Sequence, residues 1–530
     1  MKIVVAEKIS PAAFELFRDE NGWTLITPDQ IAGNLPAQLA DADALIVRSA
    51  VKVDAHVLEP ATRLRVIGRA GVGVDNIDLE AATKKGIAVM NTPGANAVAV
   101  AEHTLGLMLA MARHLTRADA LMHAGKWEKK TLQGTELRGK TLGIVGLGRV
   151  GMEVAKRARA FHMTVLAHDP FVSTSVARDL EIRMATLDEI YATADYITLH
   201  VGLTPQTAGM INTETIKKMK RGVRLVNCAR GELVNEAALA EGLKSGQVAG
   251  AALDVFQDEP PKNSPLSALE NVVMSPHIGG STHEAQEAVG YQIALQVKEY
   301  LKHGVIQNAV NIPSVSHEEY IEMQPYIVLA ERLGAFLAQV SDGNAEEVVV
   351  RYSGPITEWK TDLLRNAALK GIINHMLSEH ANLVNAAAIA EERGIKVREA
   401  KKARPSSGGA ANVIAVSLHT KTDEHRVRGT VLHQKSPRLL GVDDIDVEAP
   451  LERNLVYMRN LDVPGVIGKI GTILGNNHIN IANFSLGRQE VVGKTAEAIA
   501  VVHVDSPVPE AVLGELRKVE PVKVARGMQL

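Results

Sequence analysis

The stretch that decides the fold is Thr141–Gly151, which reads TLGIVGLGRVG. The apolar run TLGIV is typical of a buried strand, and the residues from Arg149 to Phe161 have the pattern of a helix. Glycines in the turn between them permit a tight bend, a close approach of a pyrophosphate to the backbone, and close packing of the helix on the strand. The stretch therefore predicts a strand–turn–helix unit that binds a dinucleotide. The cofactor contacts predicted from it are Gly146, Gly148, Arg149, Val150 and Gly151.

An acidic residue ends the next predicted strand, MTVLAHD. This residue, Asp169, lies 18 residues after Gly151. A carboxylate here accepts hydrogen bonds from both ribose hydroxyls and repels a 2′-phosphate, so the pattern favours NAD over NADP. The alternative is that Asp169 only caps the turn before Pro170. Asp254, in the later strand VAGAALDVF, is a further candidate for contact with NAD.

Strand-like runs alternate with helical runs on both sides of this unit. Before it, strands are predicted at Lys2–Ala6, Ala44–Arg48, Arg65–Arg69 and Ile87–Asn91, and one long apolar helix at about 98–124. After it, strands are predicted from Asp195, Val223, Val248 and Asn271, with helices at Asn235–Ser245 and Ser281–His303. Such alternation predicts an α/β fold with mostly parallel sheets.

The bulk properties are those of a globular chain. Its 530 residues suggest three or four domains. A net charge of −3 offers no basic surface for nucleic acid. The longest apolar stretch contains Glu102, His103 and Arg113, so no membrane span is expected. A lone cysteine, Cys228, and an N-terminus without a secretory apolar region predict a cytoplasmic location.

Three candidate catalytic residues follow predicted strands. Arg230 ends VNCARG, Glu259 lies in FQDEPP, and His277 lies in SPHIGG. Ligands bind at the carboxyl ends of the strands in such sheets. A histidine can accept a hydroxyl proton, a glutamate can orient the ring and favour its protonated form, and an arginine can hold a carboxylate as a bidentate fork. Hydride transfer from a 2-hydroxyacid needs these groups, although each residue alone also suits a surface or a turn.

The order and spacing of GLGRVG, HDP, NCARGELVNE, ALDVFQDEPP and SPHIGGST resemble the D-isomer-specific 2-hydroxyacid dehydrogenase family over about the first 310 residues. The resemblance implies the roles just given for Arg230, Glu259 and His277. It also implies a Rossmann-like NAD-binding domain, residues 98–280, inserted in a flavodoxin-like substrate-binding domain, residues 1–97 and 281–312. The hinge is expected near residues 96–102 and near Gly280.

The segments VRSAVKV, GRAGVGVDNID and NTPGANAVAVAEH resemble the phosphoglycerate dehydrogenase branch of that family. Two arginines beyond Arg230 are more than one carboxylate needs, and they suit a substrate phosphate. The resemblance implies 3-phosphoglycerate as the substrate. The predicted substrate contacts are Arg48, Arg69, Gly71 and Asn96. Ordinary surface charge is the alternative for both arginines. Where many relatives have polar residues this chain has Val72 and Ala97, which leaves only backbone contacts there.

The last 80 residues or so alternate as a ferredoxin-like βαββαβ unit. From Asn454 they closely resemble ACT domains, which bind small amino-acid ligands at dimer interfaces, and 452–530 is predicted to be one. Asp462 could bind the ligand's ammonium, Gly465 begins a helix whose N–H groups could bind its carboxylate, and Asn480 can donate and accept. The implied effector is L-serine; a role in assembly alone is the alternative.

Residues 313–451 resemble the α+β intervening domain of long phosphoglycerate dehydrogenases, and the residues 308–316 before them are interpreted as a linker. Lys435, Arg438 and Arg453 are basic candidates for anion binding there. Two candidate interface modules predict a homo-oligomer, most simply a tetramer. No metal site is expected.

Two other functions remain open at this point. A hydroxypyruvate or glyoxylate reductase of the same family with a regulatory tail would show little preference for a phosphorylated substrate. A nucleotide-sensing, corepressor-like binding protein would bind NADH and a partner but turn over slowly.

Overall fold

The computed structural model describes residues 1–31, 33–173, 177, 181–313, 315, 317–377, 380–402, 411–489 and 496–530. Within these ranges the strands form four β-sheets. None of the helices in the same ranges combines the length and the apolar character that a membrane crossing requires. The strands of each sheet fall inside one of the four predicted domains, although the domain boundaries themselves remain predictions.

The first sheet has five parallel strands in the order β2-β1-β3-β4-β5, which is the flavodoxin-like order. The strands are β1 (Lys2–Val5), β2 (Thr24–Ile26), β3 (Ala44–Val47), β4 (Val66–Arg69) and β5 (Ala88–Met90). The helices between them are α1 (Pro11–Arg18), α2 (Leu35–Leu39), α3 (Ala55–Leu58) and α4 (Leu79–Lys84). Every residue of β3 and β5 is buried, because helices cover both faces of a parallel sheet.

The second sheet has seven parallel strands in the order β12-β11-β10-β9-β6-β7-β8. The strands are β6 (Thr141–Val145), β7 (Thr164–His168), β8 (Arg183–Met184), β9 (Tyr196–Leu199), β10 (Val223–Asn227), β11 (Val248–Leu253) and β12 (Val272–Met274). The helices include α7 (Arg149–Ala160), α8 (Leu187–Thr193), α9 (Thr213–Lys218) and α10 (Glu236–Lys244). The strand order reverses between β6 and β9, and this is the edge where α/β sheets bind ligands.

The long helix predicted at about 98–124 is two helices. The first, α5, is Ala97–Ala112, and the second, α6, is Leu115–His123. The break falls at His114, whose φ is +53°, and a right-handed helix cannot continue through that conformation. The composition of the segment gave no sign of this break.

The helix after the second sheet returns to the first. This helix, α11 (His283–His303), packs on β4, where a Cβ at Gly68 would lie 2.8 Å from both Ile293 and Val297. The segment after it is not a free linker. Ala309 forms an antiparallel bridge to Met90, and the Asn311 side chain bonds the backbone of Ile87 and Val89. It is docked because the edge of β5 has backbone groups that need partners.

The third sheet has the order β14-β13-β15-β16-β17-β18, parallel between β13 and β14 and antiparallel elsewhere. Its strands are β13 (Ala345–Ser353), β14 (Lys396–Lys402), β15 (Val413–Thr420), β16 (Glu424–Leu432), β17 (Ser436–Val442) and β18 (Ile445–Pro450). Its helices are α12 (His317–Val340), α13 (Asp362–Met376) and α14 (Ala386–Glu392). The sequence predicted β13 and β15 but gave no position for the other four strands.

The fourth sheet is antiparallel, with the order β20-β21-β19-β22. Its elements are β19 (Asn454–Leu461), α15 (Val466–Asn476), β20 (Ile481–Arg488), β21 (Glu497–Val504), α16 (Glu510–Arg517) and β22 (Val522–Gln529). The predicted βαββαβ order is confirmed. One continuous hydrophobic core joins the first, third and fourth sheets. The first and fourth sheets each have a further cluster of their own, and the clusters of the second sheet are separate from the shared core.

Candidate active site

A cleft of about 590 Å³ lies between the carboxyl ends of the strands of the first and second sheets. Eight residues of the predicted site line this cleft: three at strand ends or on loops of the first sheet, one at the predicted hinge and four on loops of the second sheet. They are Arg48, Arg69, Gly71 and Asn96, and Arg230, Asp254, Glu259 and His277. The structure therefore brings together residues that are up to 229 positions apart, from Arg48 to His277 (277 − 48).

The histidine and the glutamate form a close pair. His277 Nδ1 lies 2.7 Å from Glu259 Oε2, and the other carboxylate oxygen accepts the N–H of Phe256 at 3.2 Å. A carboxylate can only accept, so Nδ1 carries the proton and Nε2 is left as the acceptor at the cleft. The side chain of His277 is half-exposed. This pair can accept a proton from a bound hydroxyl group.

The Arg230 guanidinium is held at two points. Nε donates to Asp75 Oδ2 at 3.1 Å, across the cleft, and Nη1 donates to the Ala229 carbonyl at 2.7 Å. A Cβ at Gly73 would overlap Nη2, so glycine leaves the space that the guanidinium fills. With Nε engaged by Asp75, the edge formed by Nη1 and Nη2 is the one left to receive a carboxylate.

Two more guanidinium groups reach the cleft from the first sheet. Arg69 is mostly buried; burial, and then the neighbouring Arg230 charge, lower its pKa below the ordinary value. Its Nε has no hydrogen-bond partner in the described part of the chain, nor does the buried Oδ1 of Asn96. Leaving a buried polar atom without a hydrogen-bond partner costs free energy, so these two atoms favour the binding of a polar ligand.

Loops of the first sheet are fixed by residues that the sequence analysis missed. Glu7 accepts the N–H groups of Arg48, Ala50 and Val51 at 2.7, 3.1 and 3.2 Å. Asn76 Nδ2 donates to the carbonyls of Arg48 and Val51 at 2.9 and 2.7 Å. Asp75 and Asn76 come one residue after the GVG turn, and this nearness was the one available signal. Nothing near Glu7 in the sequence indicated its role.

The glycine turn fits a dinucleotide. Gly146 has φ +96°, and a Cβ there would lie 2.5 Å from the His200 carbonyl. A Cβ at Gly148 would meet open space, which leaves room for a pyrophosphate to approach the backbone, and α7 begins at the next residue, Arg149. Asp169 Oδ2 accepts the N–H of Leu147 at 2.9 Å and Oδ1 accepts that of Phe171 at 2.8 Å. Its remaining lone pairs can accept ribose hydroxyls.

Asp254 is almost completely buried at the wall of the cleft. Its carboxylate accepts the N–H groups of Ile278 and Gly279 at 2.9 and 2.8 Å and the hydroxyl of Ser275 at 2.6 Å. Burial alone would raise the pKa of Asp254, but hydrogen bonds from His103, Ser275 and the two N–H groups outweigh it and hold the pKa below its ordinary value. Asp254 therefore carries a negative charge next to the loop that contains His277.

The ACT-like unit has a separate cavity of about 470 Å³, lined by Asp462 and Gly465. Asp462 pairs with Arg488 at 3.3 Å, and Asn460 leaves a buried Oδ1 without a partner in the described residues. Asn480 is not part of this lining; its amide donates to Asp505 at 2.6 Å. Its predicted effector contact remains a prediction. Asn460 and Arg488 are cavity residues that the sequence analysis missed.

Family models match three parts of the chain. The model for the D-isomer specific 2-hydroxyacid dehydrogenase NAD binding domain matches residues 105–279. The model for the D-3-phosphoglycerate dehydrogenase intervening domain matches residues 322–443, and the ACT domain model matches residues 455–521. These matches follow the second, third and fourth sheets in order.

Two relatives that match this chain over almost their whole length share one name. The chain is 42% identical over 524 residues to D-3-phosphoglycerate dehydrogenase of Methanocaldococcus jannaschii, covering 99% of this chain and 98% of that one. It is 39% identical over 485 residues to the Bacillus subtilis D-3-phosphoglycerate dehydrogenase, covering 92% and 91%. This chain belongs to the D-3-phosphoglycerate dehydrogenase family.

As a member of the D-3-phosphoglycerate dehydrogenase family, the chain is an NAD-dependent oxidoreductase. Solved structures match its catalytic part. A glyoxylate reductase from Paecilomyes thermophila is 31% identical, covering 58% of this chain and 98% of that one, with a TM-score of 0.54. A D-lactate dehydrogenase from Aquifex aeolicus, complexed with NAD and lactic acid, is 30% identical, covering 59% and 100%, with a TM-score of 0.52. These likenesses support the dehydrogenase fold of the first two sheets.

Proposed function

We propose that the enzyme oxidises 3-phospho-D-glycerate to 3-phosphohydroxypyruvate with NAD, as the first step of L-serine biosynthesis. The observation that carries the proposal is the convergence of three guanidinium groups, those of Arg48, Arg69 and Arg230, on the cleft that contains the His277–Glu259 pair. A substrate with a carboxylate and a phosphate brings two anionic groups, which three guanidinium groups can bind and a single one cannot.

In this proposal His277 Nε2 accepts the proton of the C2 hydroxyl, while Glu259 holds the ring and stabilises the imidazolium that results. Arg230 binds the substrate carboxylate and the reacting oxygen through the Nη1–Nη2 edge that Asp75 leaves open. NAD, held by the glycine turn and Asp169, supplies the hydride acceptor when bound. Arg48 and Arg69 hold the phosphate, and Gly71 and Asn96 complete the wall near it.

The ACT-domain cavity is the proposed site for L-serine as a feedback inhibitor. Asp462 would bind the ammonium group, and the N–H groups at the start of α15, after Gly465, would bind the carboxylate. We also propose that the enzyme is a homotetramer, built through two interface modules, and that it is cytoplasmic. Sedimentation of the purified enzyme tests the tetramer; a dimer would contradict it.

The reaction is tested by turnover of 3-phosphoglycerate and of D-glycerate, monitored as NADH formation, with wild type, His277→Ala and the control His56→Ala. His56 is an exposed histidine that does not line the cleft. We expect a strong preference for the phosphorylated acid and a loss of about 10²-fold or more in kcat for His277→Ala alone. Equal use of D-glycerate would favour the reductase alternative. Tight NADH binding with no turnover of either acid would favour the corepressor-like alternative.

Regulation is tested with the Asp462→Ala variant and added L-serine. We expect serine to lower turnover by wild type and to lose this effect in Asp462→Ala, because the ammonium group loses its counter-charge. The control Glu510→Gln alters an exposed ion pair of the same domain, with Arg517, outside the cavity. Unchanged inhibition of Asp462→Ala, or inhibition lost in both variants, would contradict this site.

A further inference from the structure

A hydrogen-bonded chain runs from helix α5 to the loop that carries the proposed base. His103 Nε2 lies 3.0 Å from Ser275 Oγ, and Ser275 Oγ lies 2.6 Å from Asp254 Oδ1. His103 Nε2 is also 3.3 Å from the same carboxylate oxygen. Neither His103 nor Ser275 lines the substrate cleft, whereas Asp254, which both of them contact, does.

The geometry fixes the direction of each bond in this chain. The Asp254 carboxylate is ionised and only accepts, so the Ser275 hydroxyl donates its single proton to it. Ser275 Oγ then has only lone pairs to offer to His103, and therefore His103 Nε2 carries a proton and donates. If His103 Nε2 carried no proton, its lone pair would face a lone pair of Ser275 Oγ and one of Asp254 Oδ1.

Asp254 in turn holds the backbone of the base. Its carboxylate binds the N–H groups of Ile278 and Gly279, and its carbonyl accepts the N–H of His277 at 2.8 Å. His277 has φ +53°, a left-handed conformation that costs free energy in a residue other than glycine. The bonds from Asp254 to three successive N–H groups stabilise that conformation and so fix the direction of the imidazole.

The same helix also packs on both chain crossings between the two α/β units. Asn96 precedes α5 at the first crossing, and a Cβ at Gly280, at the second, would lie 2.9 Å from its Nδ2. A Cβ at Gly279 would lie 3.7 Å from Val100 and 3.8 Å from His103. Any displacement of α5 relative to residues 275–280 therefore changes the geometry of the His103–Ser275 contact.

We propose that His103 and Ser275 are positioning residues that hold Asp254, and through it the backbone of residues 277–279, in the geometry that directs His277 at the substrate hydroxyl. This inference rests on the role proposed above for His277. It adds two residues that act on the rate of the reaction without touching the substrate.

The test compares Ser275→Ala, His103→Leu and His103→Gln with wild type. Leucine removes the N–H donor at position 103, whereas the glutamine amide retains one. We expect kcat to fall about 10-fold in Ser275→Ala and in His103→Leu, with the KM of the hydroxyacid within about 2-fold, because the carboxylate and phosphate contacts are untouched. His103→Gln should recover most of the lost kcat. The control Thr104→Val removes a buried hydroxyl of the same helix, which bonds Val100, and should leave kcat unchanged.

Melting curves of each variant establish that it is folded before kinetics are compared. Equal losses in His103→Leu and His103→Gln would mean that the side chain only fills space and would overturn the proposal. Values of kcat within 2-fold of wild type for Ser275→Ala and His103→Leu would also overturn it. Absence of turnover by wild type with any 2-hydroxyacid would instead contradict the proposed function, and with it this role.

Discussion

The Asp169 carboxylate fixes a turn in the structure and is also the predicted ribose contact. It bonds the backbone of Leu147 in the glycine turn and of Phe171 after the next strand, so it fixes the shape of the turn. Its charge lies where the ribose of a dinucleotide is expected. The sequence predicted the second task from spacing alone, but the first depends on where two loops meet and could not be deduced from it.

Replacement of Asp169 by Asn separates these tasks, because the amide oxygen still accepts one backbone N–H while the charge is removed. We expect the ratio of kcat/KM with NADP to kcat/KM with NAD to rise about 10-fold or more, corresponding to about 1.4 kcal/mol. Steady-state kinetics with both cofactors measure this ratio. Asp188→Asn, a change to an exposed partner of Lys218, is the matched control. An unchanged ratio would mean that Asp169 only shapes the turn.

At the scale of elements, the loop from Gly71 to Asn76 organises the cationic side of the cleft. Glycines at 71 and 73 leave the space that guanidinium groups of Arg69 and Arg230 occupy. The motif GRAGVGVDNID predicted a flexible turn near a substrate. It did not predict that the space would be filled by arginines, one of which comes from the other side of the cleft.

Another junction joins elements of the third and fourth sheets. His425 of β16 lies 3.2 Å from Asp443, in the turn between β17 and β18. Arg459 of β19 lies 3.7 Å from Asp443 and donates to Glu497 of β21 at 2.5 Å. The hydrogen bond to Asp443 is the largest influence on His425, and it raises the pKa of that imidazole above 6.5 despite burial.

This pair should make stability depend on pH. A pKa raised in the folded state contributes stability that is complete below the unfolded value of 6.5 and is lost as the pH rises through the folded pKa. We expect the melting temperature of wild type to fall between about pH 6 and pH 9 by more than that of His425→Gln. His56→Gln, an exposed histidine, is the control. Parallel curves for wild type and His425→Gln would contradict the prediction.

At the scale of the whole molecule, the hydrophobic cores do not follow the functional sites. The cleft lies between the first and second sheets, but these two sheets do not share a core. The second sheet is built on its own clusters, whereas one core runs through the first, third and fourth sheets. Phe336 of α12 is fully buried in that shared core and lies edge-to-face with Tyr457 of β19, with ring centroids 5.6 Å apart. The ACT-domain cavity is therefore on a unit that is packed into the rest of the chain.

Phe336→Ala tests this division. Loss of the buried ring should cost about 3–5 kcal/mol of unfolding free energy in the shared core. NADH binding, measured by fluorescence below the first melting transition, should stay within about 2-fold of wild type, because the glycine turn rests on separate cores. Leu225→Ala, in the core of the second sheet, should instead weaken NADH binding. Loss of NADH binding in Phe336→Ala would show that the cores are coupled.

Sequence reasoning succeeded where chemistry is local. The glycine turn, the acid after the next strand and the βαββαβ order were all predicted, because turn geometry and side-chain periodicity are short-range properties. It failed at the helix break at His114 and at four strands of the third sheet. Those depend on contacts with distant residues, which override local preference.

The sequence by itself determined the family, the cofactor-binding turn and the identity of the proposed base and its carboxylate partner, since each is set by residue type and spacing. Only the tertiary structure decided that Asp75 holds Arg230 across the cleft, that Glu7 and Asn76 fix the loops of the first sheet, and that His103 reaches Asp254 through Ser275. The physical reason is that hydrogen bonds and ion pairs act over about 3 Å in space, whatever the separation of the residues along the chain.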